Sequence, residues 1–472
     1  MLRSTLLIYL VFLPLLITAS GSEKSKPLPK DLPPYGPLEP FKAPQVSART
    51  LSNGLTVWLV ARPGFPKVAF AVAVRGGMAS DPKDRPGLAQ LITDAIDQGT
   101  KTRTARQIAE ELQGAGGDLS GEAGADSIVV STSVLSSRAD AGLTVLADVL
   151  QNATFPASEV DLAKRNAAEN LRSQEADPAF LARRALAKAV FGAHPYGVIS
   201  GTQESIGETT AEDLRREFAR RFRPDQAVLV AVGDFQPETL MGTIQSLLGK
   251  WSAPGEPPVA AVTKPSLAAP HEIFYVERQG SVQTNILLGT LGPTRADPDY
   301  ASTQVANAIY GGMFGSRLVL NIREDKGYTY SPGAGLTSRH QAAVLSTRAA
   351  VRNEVTGATL NEIDYELNRM ATTEPEADEI VQAQRYLTGT RALALQSQSA
   401  VASQLAELWI FGLPAEELGK ETARIQKVTA KDVEQAGARY FPASRQTIVA
   451  VGEKKVIDEQ LAPFGLKTQP AP

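Results

Sequence analysis

The chain contains an internal repeat whose two copies start 219 residues apart, at Thr210 and Thr429. Each copy combines a helix that begins with Thr and has Asp three residues later, an Arg-x-Phe step, and an apolar strand that leads into Gly. The matching positions are Thr210, Asp213, Leu214, Arg220, Phe222 and 229–234 in the first copy, and Thr429, Asp432, Val433, Arg439, Phe441 and 448–453 in the second. Because three separate pieces keep one offset, the pattern predicts a tandem duplication and therefore two similar domains.

The length of the chain and the order of its elements agree with two domains. A chain of 472 residues is too long to fold around a single hydrophobic core. Two domains of roughly 200 residues are therefore expected. Residues 45–251 are predicted as the N-terminal domain, 252–270 as a linker rich in Pro and Ala, and 271–462 as the C-terminal domain. Both halves read as strands, then helices, then a helix followed by a strand, which predicts an α+β fold.

Residues 1–21 have the organisation of a secretory signal peptide, with Arg3, an apolar run over residues 6–17 and small residues at the end. The run is short for a membrane span and contains Pro14, although an uncleaved anchor stays an alternative. Residues 22–44 read as a Pro-rich leader. We therefore expect a periplasmic or secreted protein without a stable membrane span once the signal is cleaved.

The composition excludes several classes of function. The chain has no Cys, so disulfides, lipoprotein attachment and thiol catalysis are excluded. The formal net charge is −3 and no dense patch of Lys and Arg occurs, which argues against nucleic acid as a partner. Neither a G-x-S-x-G nucleophile turn nor a Walker-type phosphate loop is present.

The stretch over residues 311–330 carries the strongest functional pattern. It predicts a Gly-Gly turn, then a short helix capped by the side chain of Ser316. Gly327 suits the left-handed position after the last helical turn. Residues 328–330 are rich in Tyr and Thr and predict a strand, which Pro332 ends.

Arg323 and Tyr330 are the candidate binding residues of this stretch. The helix ends near Arg323 and the predicted strand carries Tyr330, so we expect the two side chains to converge. A guanidinium and a phenol both donate hydrogen bonds, and both suit a backbone carbonyl or a developing oxyanion. The alternative is a structural role, with Arg323 in an ion pair with Glu324 or Asp325 and Tyr330 half-buried.

The same stretch resembles the second-domain signature of the pitrilysin/insulinase family of zinc peptidases, in which a Gly-Gly turn precedes Ser-Arg-Leu and Ile/Leu-Arg-Glu-x-x-Gly-x-x-Tyr. In that family the Arg and the Tyr bind the substrate backbone, so the resemblance makes Arg323 and Tyr330 substrate-binding residues. It extends over roughly residues 45–460. It implies an α+β fold of two tandem homologous domains, each with helices packed on a mostly antiparallel sheet, as in mitochondrial processing peptidase.

The positions that bind zinc in catalytic members of the family hold other residues here. The family's His-x-x-Glu-His, on the helix after the third strand, corresponds to Gln90, Thr93 and Asp94. The third ligand position corresponds to Asn170, with Glu169 beside it. Amides are poor zinc ligands, and Thr cannot act as a general base at neutral pH. We therefore expect no metal and no catalytic residue in this chain.

The three histidines lead to the same expectation. They are His194, His271 and His340, separated by 77 and 69 residues, so no two of them share a helical turn. We expect His194 in a structural loop and the other two on the surface. A zinc site assembled from distant His and carboxylate side chains stays open as an alternative.

The resemblance implies a non-catalytic, substrate-binding subunit of a heteromeric zinc metallopeptidase. The expected partner is a homologous subunit that carries the zinc, in a heterodimer with this chain. The expected substrate is a peptide or an unfolded polypeptide, held as an added β-strand along a sheet edge. The alternative is a structural scaffold or peptide-binding protein of the same fold with no role in proteolysis.

Overall fold

Two six-stranded sheets organise the computed structural model, which describes residues 43–253, 255, 258–267 and 272–472. The predicted signal segment, most of the predicted leader and His271 lie outside these residues. The strands of the first sheet are β1 (Ser47–Thr50), β2 (Thr56–Ala61), β3 (Lys67–Arg75), β4 (Leu119–Ala123), β5 (Ser127–Leu135) and β6 (Ala227–Gly233). Those of the second are β7 (Ile273–Glu277), β8 (Gln283–Gly292), β9 (Gly333–Ser338), β10 (Ala343–Arg352), β11 (Thr447–Gly452) and β12 (Gln469–Pro470).

The two sheets share one topology. Their strand orders are β1-β2-β6-β3-β5-β4 and β12-β7-β11-β8-β10-β9, so five strands occupy equivalent places. In each sheet the strand from the sequence repeat, β6 or β11, pairs parallel with one neighbour and antiparallel with the other. The remaining pairs of these equivalent strands are antiparallel. The predicted α+β architecture of two homologous halves with mostly antiparallel sheets is confirmed.

Helices connect and cover the strands. They are α1 (Leu88–Ala95), α2 (Ala105–Gly114), α3 (Ala139–Asn152), α4 (Ala157–Ala176), α5 (Pro178–Phe191), α6 (Gln203–Glu208), α7 (Ala211–Arg221), α8 (Pro237–Leu248), α9 (Tyr300–Asn307), α10 (Thr356–Thr372), α11 (Ala377–Ala394), α12 (Gln398–Ile410), α13 (Glu417–Lys427), α14 (Ala430–Tyr440) and α15 (Lys454–Leu461). No helix in the described part of the chain has the length and apolar character that crossing a membrane requires.

The repeated Thr begins an equivalent helix in both halves. The side chain of Thr210 accepts a hydrogen bond from the backbone N–H of Asp213, and the Asp213 carboxylate accepts one from the Thr210 N–H. Thr429 and Asp432 form the same reciprocal box at the start of α14. Such boxes satisfy N–H groups that a helix start leaves unpaired. The capping that the repeat predicted is therefore confirmed in both copies.

Each half contributes a helix to the sheet of the other half. One face of each sheet packs against helices of its own half. On the opposite face of the first sheet lies α12 from the second half, which buries Val401, Leu405 and Leu408 against β3 and β6. Helix α5 of the first half lies in the same way on β8 and β11 of the second sheet. Because both sheets bury apolar side chains on both faces, neither half completes its core alone.

We expect Leu405→Ala to destabilise the protein by about 2–5 kcal/mol, because it removes a fully buried side chain and leaves a cavity between the halves. The measurement is urea unfolding followed by tryptophan fluorescence, since Trp58 lies in the same apolar cluster. Leu393→Ala, at a side chain that is 65% exposed, is the matched control and should change stability by less than about 0.5 kcal/mol. Equal effects of the two substitutions would contradict the reciprocal packing.

Candidate functional site

The stretch that leads to Arg323 is helical over more of its length than predicted. Residues Ala308–Gly312 form a π-helical turn that extends α9, so Gly311 and Gly312 end a helix and do not form a turn of their own. A Cβ on Gly311 would lie 2.8 Å from the Cβ of Ala334 on β9. Glycine is therefore needed at this position for the helix to approach the strand, which is a packing requirement that the local pattern does not reveal.

The predicted cap at Ser316 is wrong. The Ser316 side chain is fully buried, and its hydroxyl has no hydrogen-bond partner among the described residues. The backbone carbonyl of Ser316 accepts the N–H of Leu320 instead. The neighbouring Arg317 forms a two-pronged ion pair with Glu379 on α11, with both N–O distances 2.6 Å. Burial opposes ionisation of Glu379, but Arg317 lowers the pKa of its carboxyl below the ordinary value.

Arg323 and Tyr330 converge, as the sequence predicted. Arg323 belongs to a second π-helical segment, Val319–Asp325, and its guanidinium carbon lies 4.4 Å from the centre of the Tyr330 ring. It also lies 4.8 Å from the centre of the Phe314 ring. Arg323 is thus flanked by two aromatic rings, an arrangement worth about 0.5–1 kcal/mol per ring at exposed sites. The sequence analysis missed Phe314, although it lies within the signature stretch.

The backbone around Tyr330 differs from the predicted strand. Gly327 has a positive φ of 64°, as expected for the residue that stops the helix. Tyr328 donates its N–H to the carbonyl of Ile322, and Thr329 donates its hydroxyl to the carbonyl of Ala350 at 2.6 Å. Strand β9 begins only at Gly333. The hydrogen-bond ladder of β9 starts only at Gly333 because residues 327 and 328 first end the helix. Pro332 then follows, and it has no N–H to donate.

Arg323 and Tyr330 differ in their exposure to solvent. Tyr330 is 78% exposed, whereas the Arg323 side chain is 25% exposed. The Nε of Arg323 lies 3.2 Å from a carboxylate oxygen of Glu324, so one of the ion pairs considered in the structural alternative is present. Within the described residues, no hydrogen bond from a terminal nitrogen of Arg323 or from the Tyr330 hydroxyl is observed. Stacking on the aromatic rings fixes the plane of the Arg323 guanidinium and leaves the N–H groups at its edge able to donate hydrogen bonds.

A cavity of about 640 Å³ lies beside this loop. It is bounded by α5 on one side and by β8, β9 and β10 of the second sheet on the other, and Ser331 contributes to its wall directly after Tyr330. The floor includes Ala350, whose carbonyl accepts the hydrogen bond from Thr329. The loop that carries Tyr330 therefore reaches this open cavity through Ser331, on the sheet face that α5 covers only in part.

The zinc positions of the family hold a self-contained hydrogen-bond group. On α1, the side-chain amide of Gln90 donates to a carboxylate oxygen of Asp94 at 2.8 Å and to the Thr93 hydroxyl at 3.3 Å. Thr93 in turn donates to the Gln90 carbonyl at 2.7 Å. The surrounding protein desolvates the Asp94 carboxyl and raises its pKa, and the bond from Gln90 opposes this shift. The NH2 group of the Gln90 amide points at Asp94 and Thr93 as a donor and offers a metal no lone pair, so these residues do not fit zinc.

The other expected metal positions give no alternative set. Glu169 on α4 forms an exposed ion pair with Arg172. His194 accepts the N–H of Tyr196 and contacts the carbonyl of Thr263, which agrees with a structural loop role. His340 lies in the turn between β9 and β10, and its backbone N–H bonds to Asp126. Among the described residues, no group of three His, Asp or Glu side chains is arranged to hold a metal ion.

A buried charge cluster that the sequence analysis missed positions α1. The carboxylate of Asp81 accepts the backbone N–H groups of Gly87 and Ala89 at the start of the helix. Arg221 is fully buried and contacts both Asp81 and Glu217, at 2.8 Å and 3.3 Å. Burial raises the pKa of Asp81, whereas Arg221 and the helix N–H groups oppose that shift. These contacts fix the start of α1, the helix that carries Gln90, Thr93 and Asp94.

Two family models match the chain side by side. Residues 56–200 match the model described as insulinase (peptidase family M16), and residues 208–387 match the model described as peptidase M16 inactive domain. The chain belongs to peptidase family M16. The resemblance to the insulinase family is thereby confirmed, and the match spans parts of both homologous halves.

Relatives and solved structures of the M16 family agree with this assignment. An uncharacterized zinc protease of Bacillus subtilis, YmxG, is 25% identical over 75% of this chain and 86% of its own length. The crystal structure of a peptidase M16 inactive domain from Pseudomonas fluorescens is 25% identical, covers 91% of this chain and 100% of its own, and has a TM-score of 0.81. A chain of complex III2 from Candida albicans, at 19% identity, covers 88% of this chain and 97% of its own with a TM-score of 0.75, a likeness of fold.

We expect the purified protein to bind no stoichiometric zinc, because the three positions predicted to correspond to the family's ligands offer two amides and one carboxylate. The measurement is metal analysis by inductively coupled plasma mass spectrometry after equilibration with zinc and desalting. A variant with Gln90→His, Thr93→Glu, Asp94→His and Asn170→Glu restores the family's residues and should retain about one zinc per chain. One zinc per wild-type chain that disappears in Asp94→Ala would contradict the assignment.

Proposed function

We propose that this chain is the non-catalytic, substrate-binding subunit of a heteromeric zinc metallopeptidase that acts on peptides or unfolded polypeptides. The observation that carries the proposal is the Arg323–Tyr330 pair. Its guanidinium is held by two rings, and Ser331, directly after Tyr330, lines the cavity on the second sheet. Two donors in a fixed arrangement suit a peptide carbonyl and the oxyanion that forms from it.

The second sheet provides an edge on which a peptide can bind. Strand β9 ends the sheet, and β10 is its one neighbour among the described strands. Its outer side can hydrogen-bond to an extended peptide, as in other complexes formed by β-strand addition. Since the Arg323–Tyr330 loop leads directly into Gly333, a peptide on this edge would have its carbonyl groups close to both donors.

The zinc is proposed to come from a homologous partner subunit in a heterodimer. The hydrogen-bonded group of Gln90, Thr93 and Asp94 satisfies itself without a metal, and relatives of this chain are named zinc proteases. Division of the two tasks between chains accounts for the loss of ligands in a protein that retains the Arg323–Tyr330 pair. A periplasmic or secreted location is proposed from residues 1–21, and cell fractionation tests it.

The proposal predicts that Arg323→Ala or Tyr330→Phe slows peptide cleavage by the mixed complex about a hundredfold, because each removes one donor to the oxyanion. Tyr330→Phe keeps the ring that stacks on Arg323, so it tests the hydroxyl alone. The measurement is turnover of a fluorogenic peptide by this chain coexpressed with a homologue that carries His-x-x-Glu-His.

Tyr386→Phe is the matched control, because it removes a phenol hydroxyl on α11, outside the Arg323–Tyr330 loop, from a ring that is 42% exposed. Size-exclusion chromatography should show that every variant still assembles with its partner. Normal turnover by both the Arg323 and the Tyr330 variant would refute the binding role and favour the scaffold alternative.

A further inference from the structure

The ionised side chains that line the cavity beside the Arg323–Tyr330 loop are all positively charged. Its lining contains three arginines, Arg183 on α5, Arg339 after β9 and Arg348 on β10, and no Asp, Glu or Lys. The remaining lining is apolar or neutral. A cavity whose ionised groups all have one sign attracts the opposite charge, and its low-dielectric walls strengthen that attraction.

The three arginines lack acidic partners. No described carboxylate oxygen lies within 4.0 Å of any of them. Arg339 is held by the Phe191 and Tyr196 rings at 4.9 Å and 4.8 Å and by the Tyr196 carbonyl at 2.9 Å. Asp126 attracts Arg339 from farther away, but the carboxylate of Asp126 already accepts bonds from the Tyr196 hydroxyl and the His340 N–H.

Arg348 is the arginine best placed to meet a bound peptide. It lies on β10 opposite Gly333, the first residue of the edge strand. A Cβ at position 333 would lie 3.2 Å from a terminal nitrogen of Arg348, so glycine leaves space for this guanidinium. Ala350 lies two residues later on the same face of β10, and its carbonyl accepts the hydrogen bond from Thr329 of the Arg323–Tyr330 loop. The basic cavity and the loop therefore form one continuous surface.

We infer that this cavity binds a carboxylate of the peptide, so the protein prefers peptides with an acidic group close to the residue held by Arg323 and Tyr330. The inference rests on the proposed function and gives its site a substrate class. An Arg fork matches a carboxylate in shape and charge. The carboxylate can belong to an Asp or Glu side chain or to the peptide's C-terminus.

Fluorescence anisotropy with three dye-labelled extended peptides tests the inference on the full-length purified chain. The first peptide has Glu at its centre and an amidated C-terminus, the second has Gln there and the same amide, and the third has Gln and a free C-terminal carboxylate. We expect the Glu peptide to bind about tenfold more tightly than the amidated Gln peptide, the gain typical of one charge-assisted hydrogen bond. If the third peptide instead binds more tightly than the other two, the carboxylate that the cavity binds is that of the peptide's C-terminus.

Arg348→Gln should reduce the preference for the acidic peptide to about threefold or less without weakening the amidated Gln peptide, because it removes one charged donor. Arg106→Gln is the control, since this arginine lies on α2 and is paired with Glu110 on the surface. Equal affinities of the wild-type protein for the three peptides, or an acidic preference that Arg348→Gln leaves undiminished, would overturn the inference.

Arg323→Ala separates this inference from the proposed function. It should weaken all three peptides by the same factor and leave the acidic preference in place. Arg323-dependent binding without acidic preference would refute the charge selection alone. If the acidic preference is present but Arg323→Ala leaves the affinities of all three peptides unchanged, the binding role of Arg323 alone is refuted. Failure of all three peptides to bind would overturn both.

Discussion

The arrangement of this protein depends on the exchange of helices between its two sheets. A sheet whose strands are apolar on both faces must be covered on both, and each half has helices of its own on one face only. Helix α12 supplies the second layer for the first sheet and α5 supplies it for the second. Because α5 reaches β8 and β11 but leaves β9 and β10 partly open, the same packing that stabilises the halves produces the cavity beside the Arg323–Tyr330 loop.

The two halves have diverged in their chemistry while retaining one topology. In the first half, α1 is held by the buried cluster of Asp81, Arg221 and Glu217, and one face of it carries the Gln90–Asp94 hydrogen bond. In the second half, a π-helical segment presents Arg323 between two rings. The position of α1 is fixed by this buried cluster and by the N–H groups that Asp81 accepts at the start of the helix.

Sequence patterns predicted the structure correctly where interactions between residues close in the chain determine it. The boxes at Thr210 and Thr429 form because a Thr and an Asp three residues apart satisfy each other's backbone N–H. Ser316 has the same residue type at a helix start, but the surrounding residues bury it, and its hydroxyl bonds to none of them. Residues 328–330 have strand composition and still form no strand, because the helix end and Pro332 decide where the ladder begins.

The sequence by itself determined the duplication, the family and the absence of a His-x-x-Glu-His motif, since these depend on residue identity and spacing alone. It also predicted that Arg323 and Tyr330 converge, because they are only seven positions apart in the chain. The tertiary structure alone decided that Phe314 completes the stack around Arg323 and that α5 faces the second sheet. It also placed Arg183, Arg339 and Arg348 around one cavity. The cavity and the cover by α5 join residues far apart in the chain, and the stack at Phe314 depends on the π-helical course of the backbone, so no local pattern encodes them.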